Sequence, residues 1–273
     1  MDSDQEEVKA PKHRRWPVVV IVALVLAAGA FIAFRVLEEP RGPEASPVVD
    51  AGGADADAGP SLSLDDGDLL LKKLGSGWSS HAQFLKWLES LGLRQLAAAA
   101  QLVAEGDSPR PALPFVSITG PFVVREERLP GAPKRAGKRK VPAPPGRLFI
   151  APESYARYDE VTLVVTSVNA AAVGDAWARL RPYLEVAYRE IGRPGTHFDD
   201  TLTVALRRLL TVSFPEGDVE LVPEGAVYAF KDPQLQSASK AEKHLLRMGP
   251  KNGKAIQAAL RDFATHAHLD IGP

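Results

Sequence analysis

The sequence predicts a mainly α-helical, bundle-like domain with a small antiparallel β-hairpin, carried behind one N-terminal transmembrane helix. Three observations lead there. An uncharged apolar run fills Pro17 to Phe34. A stretch rich in Pro, Gly, Ala and Asp follows it. Beyond that stretch, apolar residues recur at helical spacing, broken by only a few short β-favouring runs.

The eighteen residues from Pro17 to Phe34 would span roughly 27 Å as a helix, close to the thickness of a bilayer's hydrocarbon core. Lys9, Lys12, Arg14 and Arg15 precede the run, with His13 among them, and Arg35, Glu38, Glu39 and Arg41 follow it. The denser positive cluster predicts a cytoplasmic N-terminus and a domain on the far side. Val36-Leu37-Glu38-Glu39 is a poor cleavage context, so the run reads as an uncleaved signal anchor. Trp16 at headgroup level and Pro17 in the first turn suit the start of such a helix. The organisation expected is a cytoplasmic tail over residues 1–16, an anchor over 17–36, a flexible linker over 37–62 and a periplasmic domain over 63–273. A flexible linker of this length has a typical end-to-end distance near 25 Å, at about 5–6 Å times the root of the residue number. The domain would therefore work close to the membrane.

Composition narrows the chemistry. Net charge is -1, so nothing pulls the whole chain toward nucleic acid. Cysteine is absent, which excludes disulfides, thiolate metal sites and a Cys nucleophile. No HExxH, phosphate-binding Walker loop, GxGxxG or GxSxG pattern occurs, and no cofactor is implied.

The domain opens with a helix over Asp65 to Leu74, acidic at its start and basic at its end, as the helix dipole favours. Ser79 or Ser80 can cap a second helix carrying Phe84, Trp87, Leu88 and Leu91, with Gly92 as its stop. Leu93, Leu96, Ala97, Ala100 and Val103 form a third apolar face that ends at Gly106. Pro114 to Arg125 then turns β-favouring, with Gly120-Pro121 as a break, and Leu148 to Ile150 is a second short extended run. These two read as an antiparallel pair. The loop joining them, residues 126–147, carries Lys134, Arg135, Lys138, Arg139, Lys140 and Arg147 among five prolines. It reads either as a solvated insertion or as a contact for an anionic lipid head group, wall polymer or acidic protein face. The charges have no interleaved aromatics, which disfavours nucleic acid.

Helix resumes in the second half. Val161 to Val168 is rich in β-branched residues, yet its polar flanks favour helix. Asn169 can cap Ala170 to Gly192, whose stripe is Val173, Trp177, Leu180, Leu184, Ala187, Tyr188 and Ile191, with Pro182 expected to kink or divide it. Asp199 or Asp200 opens the next helix, through Leu210. Val219 to Val222 and Ala226 to Phe230 are short extended runs. Ser239 caps a helix to Met248, Gly249-Pro250 stops it, and a last helix runs from Lys254 to about Ala267 with Asn252 as a possible cap.

Six phrases occur in order: Ser154-Tyr-Ala-Arg-Tyr-Asp159, Leu180-Arg-Pro-Tyr-Leu184, Ala187-Tyr-Arg-Glu-Ile191, His197-Phe-Asp-Asp200, Val227-Tyr-Ala-Phe-Lys-Asp-Pro233 and His244-Leu-Leu-Arg-Met-Gly-Pro250. As a set they resemble a proteobacterial domain-of-unknown-function family, number 3014. The resemblance covers roughly Leu64 to Ala264 and is strongest from Ser154. It implies an N-terminal membrane anchor, a Pro-rich spacer and one mostly helical domain. It implies no activity. The loop over residues 126–147 looks longer and more basic than is usual in that family.

Three groups of residues are candidate sites. Tyr155, Arg157, Tyr158 and Asp159 place two phenols, a guanidinium and a carboxylate together; Arg157 could clamp a carboxylate or phosphate, or the group could be an aromatic staple with an Arg–Asp pair. Asp199 and Asp200 beside His197 are a possible carboxylate pair, but adjacent aspartates at a helix start ordinarily serve the helix terminus. Arg247 and Lys251 flank a Gly-Pro junction that could be plain punctuation or a backbone nest for an anion. His266-x-His268 lacks further ligands in view. The expectation is a single-pass inner-membrane protein of a Gram-negative envelope, with a non-catalytic periplasmic domain that binds an envelope protein or an anionic envelope component. The alternative is a membrane-tethered hydrolase using Asp159 with Asp199 or Asp200.

Overall fold

The computed structural model describes residues 62–127, 146–192, 194–225 and 227–272. The anchor over Pro17–Phe34, the linker and the basic residues Lys134, Arg135, Lys138, Arg139 and Lys140 lie outside the described residues. Among the described residues no single helix is long and apolar enough to cross a membrane. The domain is mainly helical, with one small antiparallel sheet.

Three helices come first: α1 (Leu64–Gly75), α2 (Ala82–Ser90) and α3 (Leu93–Ala104). Two short strands follow, β1 (Val124–Glu127) and β2 (Arg147–Ile150). Then come α4 (Pro152–Ala156), α5 (Asp159–Thr166), α6 (Ala170–Arg189) and α7 (Phe198–Leu210). Strands β3 (Glu220–Glu224) and β4 (Val227–Phe230) precede α8 (Pro233–Ser237), α9 (Lys240–Leu246) and α10 (Gly249–His266).

Helix α6 is the axis of the bundle. Its stripe of Val173, Trp177, Leu180, Leu184, Ala187 and Tyr188 is buried, and it packs on α1, α3, α7 and α10. Trp177 stands at the centre, with ring centroids 6.1 Å from Phe198 of α7 and 6.5 Å from Phe263 of α10. The Tyr188 hydroxyl stays satisfied inside the core through Thr201 Oγ1 at 2.6 Å and Thr196 Oγ1 at 2.9 Å. Buried Gln257 of α10 donates to the carbonyls of Leu209 and Val212, each at 2.9 Å, and so closes the C-terminal end of α7. Asn169 caps α6 by accepting from the Ala172 N–H, and Ser239 with Glu242 forms a capping box on α9.

The sheet has the order β1-β2-β3-β4 and is antiparallel throughout. It therefore extends the expected hairpin to four strands, joining the Leu148 run to the Leu221 run through Leu148↔Leu221. Its inner face is a second, smaller core of Ile150, Val219, Leu221, Phe230 and Leu246.

Several local expectations are corrected. Pro114–Val123 is not strand: turn bonds from Leu113 N–H to Arg110 and from Val116 N–H to Leu113 curl this segment so that Val116 is buried in the helical core. Of its β-branched residues Val116 is buried and Ile118 partly so, while Thr119 and Val123 are exposed. Helix α2 is capped by His81, whose ring accepts from the Gln83 N–H, while Ser79 pairs with Ser167 at 2.6 Å. Helix α6 runs through Pro182 without division, because the stripe is packed on both sides of it, and ends before Ile191, which is exposed. At the start of α7 the Phe198 N–H donates to Glu185 of α6, so neither Asp199 nor Asp200 caps that helix. The helix capped by Ser239 ends at Leu246, just before Gly249-Pro250, and the same dipeptide also begins α10, with Pro250 in the first turn where its missing N–H costs nothing. Asn252 accordingly lies inside α10 and is not a cap.

The crossing of α6 and α10 is close. A Cβ on Gly174 would lie 2.8 Å from His266 Cβ and 2.9 Å from the His266 carbonyl oxygen. Gly174→Ala is expected to lower the stability of the full-length protein by about 1 kcal/mol or more, although alanine favours helix, because the overlap is with backbone. Urea denaturation followed by helical circular dichroism checks this.

Candidate functional site

The residues singled out in Ser154–Asp159 converge with the end of α9 and the rim of the sheet. Buried Ser154 is the hinge of the arrangement. Its hydroxyl accepts from the Val123 N–H at 2.6 Å and donates back to the Val123 carbonyl at 2.7 Å. That pair of hydrogen bonds brings the segment before β1 onto α4 and lays Phe122 beside Arg157. The guanidinium carbon of Arg157 is 5.4 Å from the Phe122 ring centre and 4.9 Å from that of Tyr158. Arg157 Nη2 donates to the Tyr158 hydroxyl at 2.8 Å, while Arg157 Nε is buried with no hydrogen-bond acceptor.

Arg247, just past the end of α9, approaches the same phenol. It lies over Phe230 with its guanidinium carbon 5.4 Å from the ring centre. Burial lowers its pKa, Tyr158 opposes this, and the charge of Arg157 adds a smaller lowering. The Tyr158 hydroxyl is raised by burial, against the pull of Arg157 and Arg247. One turn back on α9, His244 is buried and meets Ser108 Oγ at 2.8 Å through Nε2. Burial first, then Arg247 and Arg110, push the His244 pKa down to about 4. Lys243 is lowered too, by burial and by Arg247, with Glu224 opposing. Four cationic side chains and a neutral histidine are thus gathered where α4, α5, α9 and the sheet meet.

The remaining candidates fall elsewhere. Asp159 turns to the first turn of α10. Asn252 Nδ2 donates to Asp159 Oδ1 at 2.9 Å and to the Tyr155 carbonyl at 3.1 Å, and Lys251 Nζ is 3.4 Å from Asp159 Oδ2. The carboxylate therefore occupies the positive end of α10 itself, and it does not pair with Arg157. Tyr155 packs against the small core, with its hydroxyl pushed up to about 12 by burial and then by Asp218. A Cβ on Gly249, whose φ is +76°, would sit 2.6 Å from the Tyr155 ring. Tyr155, Asp159, Phe214, Met248 and Lys251 line a depression of about 300 Å³, in which Asp159 is the one lining carboxylate among the described residues. Asp199 forms an ion pair with Arg181 at 2.6 Å, and burial still raises its pKa against that attraction. Asp200 is exposed in the first turn of α7. His266 bonds back to its own helix at the Asp262 carbonyl. Among the described residues no group of three or more His, Asp or Glu could hold a metal ion.

Sequence reasoning did not include Phe122, Phe230, His244 or Lys243 in the site. The spacing of His244 and Arg247 was the available signal, since residues three apart share a helix face. The aromatic partners come from strands paired across the sheet and had no such signal.

A family model described as Protein of unknown function (DUF3014) matches residues 93–264. The chain belongs to that family. No curated protein and no solved structure matches it. The matched span contains Ser154, Arg157, Tyr158, His244 and Arg247.

His244 gives the domain a pH signature. Its pKa is about 4 when folded, against an ordinary 6.5, so the unfolded chain takes up the proton first as pH falls. No penalty exists above pH 6.5; the loss grows below it and is complete near pH 4, reaching about 3 kcal/mol by linkage. His244→Gln is expected to flatten that part of the stability profile, measured by urea denaturation at a series of pH values.

Proposed function

We propose that this protein is a single-pass inner-membrane protein of the cell envelope whose helical domain is a non-catalytic binding module. The domain stands on the far side of the membrane from the N-terminus and recruits an envelope protein within the reach of the linker. The observation that carries the binding reading is the pair of guanidiniums laid on aromatic rings where α4, α9 and the sheet meet, Arg157 on Phe122 and Tyr158 and Arg247 on Phe230. Such a group is costly to assemble for stability alone, because like charges in a part-buried place repel. It is suited to receiving an anionic group from outside.

The uncharged run Pro17–Phe34 and the positive cluster before it support the anchor and its orientation. The basic stretch with Lys134, Arg135, Lys138, Arg139 and Lys140 supports a further attraction toward acidic surfaces. The competing reading, a tethered hydrolase, has Asp159 at its depression and needs a second carboxylate to face it.

Crosslinking in intact cells, followed by purification of the full chain and mass spectrometry, tests the module. One recurring envelope protein is expected. Recovery of wall fragments or lipid with no recurring protein would overturn the reading. A reporter fused after Pro273 is expected to work only outside the cytoplasm; activity confined to the cytoplasm would reverse the orientation.

A further inference from the structure

We propose that the depression between α4, the start of α10 and the segment after α7 receives an apolar side chain of a partner protein, one with a basic residue beside it. This rests on the binding-module reading and names the chemistry of one contact.

Two glycines at the start of α10 shape the place. A Cβ on Gly249 would lie 2.6 Å from the Tyr155 ring, and one on Gly253 would strike the ring of Phe214. The two positions are four apart and share a helix face. The rings of Tyr155 and Phe214 therefore lie down against α10, and both line the depression. Pro152, Pro215 and Pro250 line it too, with buried Met248 among them. Its volume of about 300 Å³ is at the small end for ligand sites, which run from about 300 to 1,000 Å³. That suits a side chain better than a cofactor. The Tyr155 hydroxyl has no hydrogen-bond partner among the described residues, so it can meet a polar group that enters.

Charge selects the occupant. The positive end of α10 would ordinarily draw an anion, but Asp159 already holds that position, with Asn252 Nδ2 at 2.9 Å and Lys251 Nζ at 3.4 Å. An incoming carboxylate or phosphate would meet that carboxylate. Asp218, beside lining Gly217 and Val219, is answered by Arg125. Arg247, between lining Leu246 and Met248, lies over Phe230, which is outside the lining. Two exposed carboxylates next to the depression have no ion pair among the described residues. Glu153 follows lining Pro152, and Glu216 stands between lining Pro215 and Gly217. Lys254 is a step further from the lining, past Gly253. An apolar side chain would thus cover the rings and prolines, while a lysine or arginine beside it meets Glu153 or Glu216.

The test is a titration of the full-length protein, labelled with ¹³C at its methionine methyls, in non-ionic detergent micelles at pH 7 and constant ionic strength. The chain has two methionines, Met1 and Met248, so one methyl resonance reports on the depression. The probes are three end-blocked tripeptides: Lys-Leu-Lys, Lys-Gly-Lys and Glu-Leu-Glu. The expected result is a saturable shift of the Met248 methyl with Lys-Leu-Lys, with binding about tenfold or more weaker for each of the other two. Glu216→Gln is expected to weaken Lys-Leu-Lys about threefold. Ala156→Phe, at an exposed lining position, is expected to abolish the shift by filling the depression. Equal or tighter binding of Glu-Leu-Glu would overturn the basic neighbour, and equal binding of Lys-Gly-Lys would overturn the apolar anchor. No saturable shift with any probe would overturn the site. A Met248 shift that follows protein concentration alone would place a second copy there and overturn the assignment to a partner. Because the wild-type titration decides between these, a variant that fails to fold does not rescue the proposal. If the depression fails while one envelope protein still recurs in crosslinking, the module stands and its contact lies elsewhere.

Discussion

Trp177 is the contact on which the rest of the domain depends. It holds Phe198 of α7 and Phe263 of α10 against the same face of α6, so three long helices are locked by one side chain. The first turn of α10 then lies against α4 and α5. There Asn252 and Lys251 take hold of Asp159 and the Tyr155 carbonyl, which fixes α4 and α5. Ser154 then draws the chain before β1 onto α4 through Val123. The sheet, the short helices and the bundle thus meet at Arg157 and Tyr158 as a consequence of packing that starts in the core. Disturbing Trp177 would therefore be felt at the candidate site without touching it.

Two kinds of interaction surround that site, and they do different work. Asp159 is already answered by Asn252 and Lys251, and it satisfies the positive end of α10. It belongs to the scaffold. Arg157 and Arg247 are like charges brought together in a part-buried place, with rings for support. The charge of Arg157 lowers the Arg247 pKa, a smaller effect than burial and than the opposing pull of Tyr158. The neutral His244 beneath them belongs to the same economy: burial and its positive neighbours hold it unprotonated, so it adds no further repulsion.

Much of the helical architecture was legible because its signals are local. Asn169 and Ser239 announce their helices within three residues, and the spacing of Val173, Trp177, Leu180 and Leu184 declares the buried face of α6. Pairing of Leu148 with Leu221 could not be read, because nothing near either residue encodes a partner so distant along the chain. Gly249-Pro250 was ambiguous in principle: the same dipeptide that ends one helix can begin the next, and the turn at Gly249 does both. Val116 and Ile118 were read as strand, but they pack into the helical core from irregular backbone. At the site, Tyr155, Arg157, Tyr158, Asp159 and Arg247 were visible as chemistry, but their division was not. The structure separates Asp159 into the scaffold and joins Arg157 to Arg247, and only the tertiary packing of α10 decides that.

The central claim is that Arg157 and Arg247 are held together against their mutual repulsion. A double-mutant cycle tests it most directly: Arg157→Gln, Arg247→Gln and the double variant, in the full-length protein, with stability measured by urea denaturation at low salt. Each single substitution removes that arginine's own contacts but also relieves the repulsion. The double variant can relieve the repulsion only once. The account therefore predicts that the double variant loses more stability than the sum of the two single losses. A double variant that loses less than the sum would show that the two arginines support each other as part of the scaffold, and would contradict the account.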